Sequence, residues 1–188
     1  MSVKFWDLEP EYSEIRNEII QAVDEVFKSG WLILGERVIN FEDAWAKYSG
    51  ATHGVGVNSG TDALFLALKA LGIGPGDEVI TVANTAIPTV SAIESTGALT
   101  RFVDTEPDTY LMDPNKIEAA IGSKTRCILP VHLYGQCANM DDINFIAKKH
   151  ELLILEDCAQ SHGATQNGCM AGSMGVASAF SFYPTKVL

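Results

Sequence analysis

The sequence predicts an α/β fold, a mostly parallel sheet flanked by helices and preceded by a helical N-terminal arm. From residue 53 onward, short apolar runs alternate with helical stretches, which indicates βαβ units with right-handed crossovers. Several runs are apolar at nearly every position, as strands buried on both faces require. Of the 188 residues, 47% are hydrophobic and 20% are charged, a composition typical of a packed globular chain.

The N-terminal arm, residues 1–50, is predicted to hold two amphipathic helices. Each has apolar residues at spacings of three and four. The stripes consist of Ile15, Ile19, Val23 and Val26, and of Val38, Phe41, Trp45 and Tyr48. An apolar loop at residues 30–35 separates them. These surfaces need a partner, which is either the rest of this chain or a second subunit.

Six strands and four helices are predicted for the second domain, residues 51–188. The strands are predicted at 54–58, 78–83, 99–103, 127–132, 152–157 and 177–182. The helices are predicted at 62–71, 88–95, 115–121 and 140–150. Asp113 is the expected N-cap of the third helix.

Charge and cysteine usage restrict the functional class. The chain has 13 Lys and Arg against 24 Asp and Glu, a net charge of −11. That balance disfavours nucleic acid and anionic membranes as partners. No apolar run approaches the roughly 18 residues that span a bilayer. The start lacks the apolar core of a secretion signal, and the four cysteines form no C-x-x-C pair. We therefore expect a cytoplasmic chain with reduced thiols.

Residues 58–62, which follow the first predicted strand, are typical of an anion site. Glycine permits close backbone approach, and a helix N-terminus offers free N–H groups. Gly60 and Thr61 are the candidates to bind a phosphate. Helix capping alone is an equally good interpretation. A dinucleotide fingerprint is a poor match, because Gly54, Gly56 and Gly60 have the wrong spacing.

Two carboxylates, Glu156 and Asp157, end the fifth predicted strand. Ligands of open α/β sheets bind beyond the carboxyl ends of the strands, so at least one carboxylate belongs to that edge. It would bind a metal, face a cationic cofactor nitrogen or cap a helix. Only His132 and His162 could join a metal site, and we expect none.

Lys186 follows the sixth predicted strand. Taken alone, it is most simply a solvated charge. Read together with Gly60, Thr61, Asp157 and Ser181, it completes a set of phosphate cradle, carboxylate and amine at one sheet edge. Pyridoxal 5′-phosphate (PLP) requires those groups.

The chain resembles the large domain of the DegT/DnrJ/StrS family of PLP-dependent nucleotide-sugar aminotransferases, which have the aspartate-aminotransferase fold (type I). Five segments carry the resemblance in order: residues 30–35, 58–64, 130–136, 156–160 and 180–186. The resemblance implies that Lys186 binds the cofactor covalently and transfers protons. Asp157 would face the ring nitrogen and Gln160 the phenolic oxygen. The implied phosphate ligands are Gly60, Thr61 and Ser181.

The implied reaction transfers an amino group from glutamate to a keto sugar linked to a nucleoside diphosphate, in amino-sugar and polysaccharide biosynthesis. Residues 81–90 and 183–186 resemble a subgroup that aminates C3 of 3-keto-6-deoxyhexoses. The full-length enzyme would be a homodimer. Another PLP reaction on this fold, such as a lyase, or a non-catalytic fragment or regulator, remains an alternative.

The chain departs from the family in two places. Ala86 stands where many members carry an aromatic residue that stacks on the cofactor, so stacking would come from elsewhere, with His132 or Tyr134 as candidates. Family members also continue for about as many residues again after the lysine. The chain is therefore expected to be truncated, with its function belonging to the full-length protein.

Overall fold

The computed structural model describes residue 4 and residues 7–187. The chain forms two compact units, the first ending at Ala44 and the second beginning at Trp45. The predicted helices of the first fifty residues are present as α1 (Glu9–Ser29) and α2 (Glu36–Ser49). Gly30 is the C-cap of α1, and its φ of 70° is accessible to glycine at little cost. No helix among the described residues is long and apolar enough to cross a membrane.

A five-stranded parallel sheet forms the centre of the second unit. Its strands are β1 (Glu78–Val82), β2 (Leu99–Val103), β3 (Thr125–Ile128), β4 (Leu153–Asp157) and β7 (Ala177–Ala179). The order across the sheet is β2-β1-β3-β4-β7, and every pair is parallel. A short antiparallel pair, β5 (Thr165–Gln166) and β6 (Cys169–Met170), lies outside it.

Four helices of the second unit connect and flank the strands, as the alternating pattern predicted. They are α3 (Gly60–Ala70), α4 (Ile87–Ser95), α5 (Pro114–Ala120) and α6 (Met140–Lys149). The Asp113 side chain accepts a hydrogen bond from Asn115 N, which confirms it as the N-cap of α5. The apolar faces of the helices enclose the sheet, and Ile80, Ile128 and Leu155 are fully buried.

The predicted strand at residues 54–58 is wrong. The segment belongs to neither sheet, and the side chain of Val55 is 81% exposed. An apolar run indicates a strand only where neighbouring backbone and a covering layer receive it. The last two predicted strands are present, but each is shorter at one end, since β4 begins at Leu153 and β7 ends at Ala179.

Candidate active site

The carboxyl ends of two neighbouring strands place the candidate residues at one edge of the sheet. Asp157 closes β4 and is paired in register with Ala179, the last residue of β7. Ser181 and Lys186 lie on the segment that leaves the end of β7. Because both strands run in the same direction, the segments that leave them emerge at the same edge.

In the turn before α3, the residue that caps the helix is not one of the two candidates for binding an anion. Ser59 is the N-cap, and its Oγ accepts from Asp62 N at 3.1 Å. Its carbonyl accepts from Ala63 N at 2.9 Å. Among the hydrogen bonds of the described residues, none uses the N–H of Gly60 or Thr61, the first two residues of the helix. Free N–H groups at a helix N-terminus are the kind of donor that binds anions.

Gly60 brings this turn against Ser181. A Cβ added to Gly60 would lie 3.0 Å from the Ser181 Cβ and 3.4 Å from its Oγ. Only glycine allows that approach without a shift of its neighbour. The helix N-terminus and the Ser181 hydroxyl, 121 positions later in the sequence, thus share one location.

Asp157 is 5% exposed. Its Oδ2 accepts from the Thr89 hydroxyl at 2.8 Å, and its Oδ1 accepts from Ala159 N at 3.1 Å. Burial raises the pKa of the carboxyl above its ordinary value. The hydrogen bonds from Thr89 and Ala159 and the charge of Lys186 oppose that rise. Thr89 had no signal in the sequence beyond its place after β1.

Lys186 lies within electrostatic reach of Asp157. Its charge lowers the pKa of the Asp157 carboxyl, and it also lowers the pKa of His162. The backbone N–H of Lys186 donates to Tyr183 O at 2.8 Å, which fixes a turn after β7. The acid and the amine singled out from the sequence are therefore at the same edge.

Gln160 lies next to Tyr134. The Gln160 Oε1 accepts from Tyr134 N at 3.4 Å, a long hydrogen bond. Tyr134 has a left-handed φ of 57° within the 3₁₀ turn Leu133–Gly135, an uncommon conformation for a residue with a Cβ. Its aromatic side chain is exposed. Both residues are thus on the segments that follow β3 and β4.

Glu156 and His132 form a buried pair that the sequence did not reveal. His132 Nε2 and Glu156 Oε2 are 2.9 Å apart, and both side chains are fully buried. The Glu156 oxygens also accept from the N–H groups of Gly172, Met174 and Gly175. Burial raises the pKa of Glu156, but the hydrogen bonds from His132, Gly172 and Gly175 lower it by more, so the net shift is downward.

His132 is not available to stack on a ligand ring. Ala138 N donates to its Nδ1 at 3.1 Å, so the ring is the tautomer that donates from Nε2 to Glu156. With both nitrogens engaged and no exposed surface, the ring belongs to the core. His132 therefore cannot stack on the cofactor in place of an aromatic residue at position 86. Tyr134, the other candidate, is exposed beside Gln160.

Three residues in the described part of the chain are of types that bind metals, but their surroundings do not favour a metal site. Donor atoms of His132, Glu156 and Cys158 lie within 4.8 Å of one another. Hydrogen bonds already occupy the imidazole and the carboxylate. Burial, together with the charges of Glu156 and Asp157, raises the pKa of the Cys158 thiol well above its ordinary value. A thiolate ligand is therefore disfavoured.

Aromatic rings support the segment that leads to Lys186. Trp45 packs edge-on against Phe180 and Phe182, with centroid distances of 5.0 Å and 4.9 Å. His162 packs against the same two rings. Within the part of the chain that the structure describes, neither nitrogen of His162 makes a hydrogen bond of good geometry. Burial is the main reason why the pKa of His162 is lowered, and the charge of Lys186 lowers it further. The backbone of Ser181 opposes this shift only in part.

An open parallel sheet that collects its ionisable groups at one edge is the architecture of ligand-binding α/β enzymes. The chain belongs to the DegT/DnrJ/EryC1/StrS aminotransferase family, which matches residues 13–188. This membership confirms the resemblance found in the sequence motifs.

Two curated relatives and one crystal structure illustrate the range of the similarity. The chain is 51% identical over 188 residues to the dTDP-3-amino-3,4,6-trideoxy-alpha-D-glucose transaminase of Micromonospora megalomicea subsp. nigra, covering 100% of this chain and 50% of the relative. It is 47% identical, with the same coverage, to a pleiotropic regulatory protein of Geobacillus stearothermophilus. The chain thus spans about half the length of these relatives.

The S. venezuelae DesV structure, in complex with a ketimine intermediate, superimposes with a TM-score of 0.94 at 46% identity. The superposition covers 98% of this chain and 50% of DesV. At this similarity the fold of the second unit is the one that the strand and helix pattern predicted.

Proposed function

We propose that this protein is a PLP-dependent aminotransferase that moves an amino group from glutamate to a keto sugar linked to a nucleoside diphosphate. One observation carries the proposal: a buried Asp157 within reach of the Lys186 charge lies at the strand edge where Gly60 packs against Ser181. The relative from Micromonospora, named as a sugar transaminase, supports it.

The residues at this edge fit the cofactor. The N–H groups of Gly60 and Thr61 and the Ser181 hydroxyl are donors of the kind that hold a phosphate. A Cβ at position 60 would crowd Ser181, so the glycine keeps the two sides of this cradle together. When bound, PLP supplies an electron-withdrawing ring that stabilises negative charge on the reacting carbon.

Asp157 and Lys186 divide the acid–base work in this proposal. The Asp157 carboxylate would hold a proton on the ring nitrogen, a charge-assisted contact that also repays part of its desolvation. The Lys186 Nζ would attach the cofactor and then carry a proton from one carbon to its neighbour. Gln160 is proposed to hydrogen-bond the phenolic oxygen.

The sugar is assigned by class only. The resemblance of residues 81–90 to enzymes that aminate C3 favours a 3-keto-6-deoxyhexose, in the biosynthesis of an amino sugar for a polysaccharide. We further propose a homodimer in the cytoplasm. The four cysteines are all free thiols, as a reducing compartment requires.

A regulatory role without turnover is the second candidate function. The observation that favours it is the similarity to the Geobacillus protein, which is named as a pleiotropic regulator. Such a protein would keep the fold and even the cofactor while failing to convert glutamate.

One experiment tests the proposal. The protein, expressed from its complete coding sequence, is mixed with PLP and glutamate, and visible absorbance and released 2-oxoglutarate are recorded. A transaminase bleaches the coenzyme band and releases stoichiometric 2-oxoglutarate, which also excludes lyase chemistry. Lys186→Ala should abolish both signals, whereas Lys116→Ala, at an exposed lysine of α5, should keep them. Bound PLP without 2-oxoglutarate would establish the regulatory candidate instead.

A further inference from the structure

We propose that Thr89, supported by Thr85, is a positioning residue that orients the Asp157 carboxylate toward the cofactor and keeps it ionised. The proposal rests on the proposed function and adds to it a residue that neither the motifs nor the family assignment identified. It applies to this chain's own groups and can be tested with and without PLP.

The geometry is a short chain of hydroxyl groups that ends on the carboxylate. Thr89 is 1% exposed and lies in the first turn of α4. Its Oγ1 donates to Asp157 Oδ2 at 2.8 Å, and the Oγ1 atoms of Thr85 and Thr89 are 2.7 Å apart. An ionised carboxylate only accepts, so the single proton of Thr89 points to Asp157 and Thr85 must donate to Thr89.

Thr89 and the backbone of Ala159 hold the Asp157 carboxylate in place and leave lone pairs available to a ligand. Thr89 occupies Oδ2 and Ala159 N occupies Oδ1, which together fix the rotation of the carboxylate plane. Each carboxylate oxygen has a second lone pair, so the anchored group can still accept from a ring nitrogen. Because Thr85 donates to Thr89, the Thr89 hydroxyl becomes a stronger donor.

The charge environment explains why such a donor is needed. Burial penalises the ionised form of Asp157, and the groups that oppose this penalty are Thr89, Ala159 N and Lys186. The adjacent Glu156 makes its hydrogen bonds to His132 and to the backbone of residues 172–175. Within the described residues, Thr89 is the side chain that donates a hydrogen bond to Asp157.

The test compares Thr89→Val, which keeps the shape and removes the donor, with Thr89→Ser, which keeps the donor. Thr81→Val is the matched control. Thr81 is equally buried and its hydroxyl donates to Leu129 O at 2.8 Å, so this variant loses a buried hydrogen bond elsewhere in the sheet. All variants are made in the protein expressed from its complete coding sequence.

The first measurement follows the pKa of Asp157 by carboxyl ¹³C NMR in the PLP-free protein. Thr89→Val should raise that pKa, and Thr89→Ser and Thr81→Val should leave it near the wild-type value. The second measurement is the dissociation constant of PLP, which should rise about tenfold in Thr89→Val, as expected for one lost hydrogen bond to a charged group. A Thr89→Val protein that matches Thr81→Val in both measurements would overturn the proposal.

Two further outcomes keep the two proposals separate. If wild-type protein binds no PLP, the proposed function fails, while the Asp157 titration still decides the role of Thr89. If Thr89→Val does not fold, Thr85→Val takes its place. It should raise the Asp157 pKa in the same direction by a smaller amount, and an unchanged pKa there would contradict the hydroxyl chain.

Discussion

Glu156 and Asp157 are neighbours on β4, both buried, yet their surroundings differ in a way that separates structure from function. Glu156 accepts from the His132 ring and from three backbone N–H groups, and its pKa is lowered. Asp157 accepts from one hydroxyl and one N–H, and its pKa is raised. A carboxylate whose oxygens are saturated by the fold is structural, while a desolvated one with remaining lone pairs suits a ligand.

The largest expected effect comes from Glu156→Gln. The amide keeps the size but points an NH₂ group at N–H donors and removes the charge beside His132. Each buried N–H that is left without its acceptor typically costs about 1–3 kcal/mol, and Glu156 accepts from three of them. Urea denaturation should show that loss as a lower midpoint. Glu118→Gln, at an exposed glutamate that bonds Lys149 and His150, is the control and should barely move it. Equal midpoints for Glu156→Gln and Glu118→Gln would show that the Glu156 carboxylate does not have the structural role assigned to it.

Asp157→Asn should show the reverse pattern. Removing a charge that burial penalises leaves the unfolding midpoint unchanged or raises it. Transamination by the protein expressed from its complete coding sequence should fall at least about tenfold. The reason is the loss of a charge-assisted hydrogen bond worth about 1.5–3 kcal/mol. PLP should still bind through the phosphate turn and Lys186. Wild-type turnover in this variant would refute the assigned role.

Acid should act on the two carboxyls in opposite directions. The lowered pKa of Glu156 means that the unfolded chain binds its proton more readily, so this stabilisation is present above pH 4.5 and is lost as the pH falls further. The raised pKa of Asp157 means that the folded chain binds its proton more readily, so its ionisation costs stability as the pH rises above 3.8.

The difference in unfolding free energy between wild type and Glu156→Gln should therefore shrink when denaturation is repeated below pH 4.5. Any advantage of Asp157→Asn should disappear over the same range. A gap for Glu156→Gln that does not shrink as the pH falls below 4.5 would show that packing, rather than charge, causes its effect.

The smallest expected effect is that of Gly60→Ala, which touches neither carboxylate. The new methyl would sit 3.0 Å from the Ser181 Cβ, so Ser181 must shift by a few tenths of an ångström. Overpacking of this kind costs about 1 kcal/mol. PLP affinity should fall severalfold, with the pH dependence of stability unchanged. The control is Ser59→Gly, which perturbs the same turn without adding bulk. Gly72→Ala would not serve, because Gly72 has a left-handed φ of 79° that alanine rarely adopts.

Much of this arrangement follows from local sequence patterns. The run that forms β4 is apolar until it meets two carboxylates, and the end of a parallel strand places Asp157 at the ligand edge. The same rule placed Ser181 and Lys186 after β7. The arrangement of glycine and small polar residues at 58–62 indicated the turn before α3. These features could be predicted because each depends on a few consecutive residues.

The remaining features depend on contacts between distant segments. His132 and Glu156 are 24 positions apart, and neither carries a local mark of its partner. Thr89 and Asp157 are 68 apart. The apolar residues at 54–58 were assigned to a strand because periodicity describes side chains and contains no information on whether a neighbouring backbone is present. Pairing is a property of the folded chain, which no window of sequence contains.

The packing of Trp45 makes the site optically observable. Its indole lies 5.6 Å from the imidazole of His162, centroid to centroid, and contacts the rings that precede Lys186. An imidazolium quenches indole fluorescence, so emission from Trp45 should dim as His162 takes up a proton. Because burial, first of all, lowers the pKa of His162, that dimming should occur below pH 6.5. A ligand that alters the charge at Lys186 would shift the midpoint, which turns one tryptophan into a built-in titration reporter for the candidate active site.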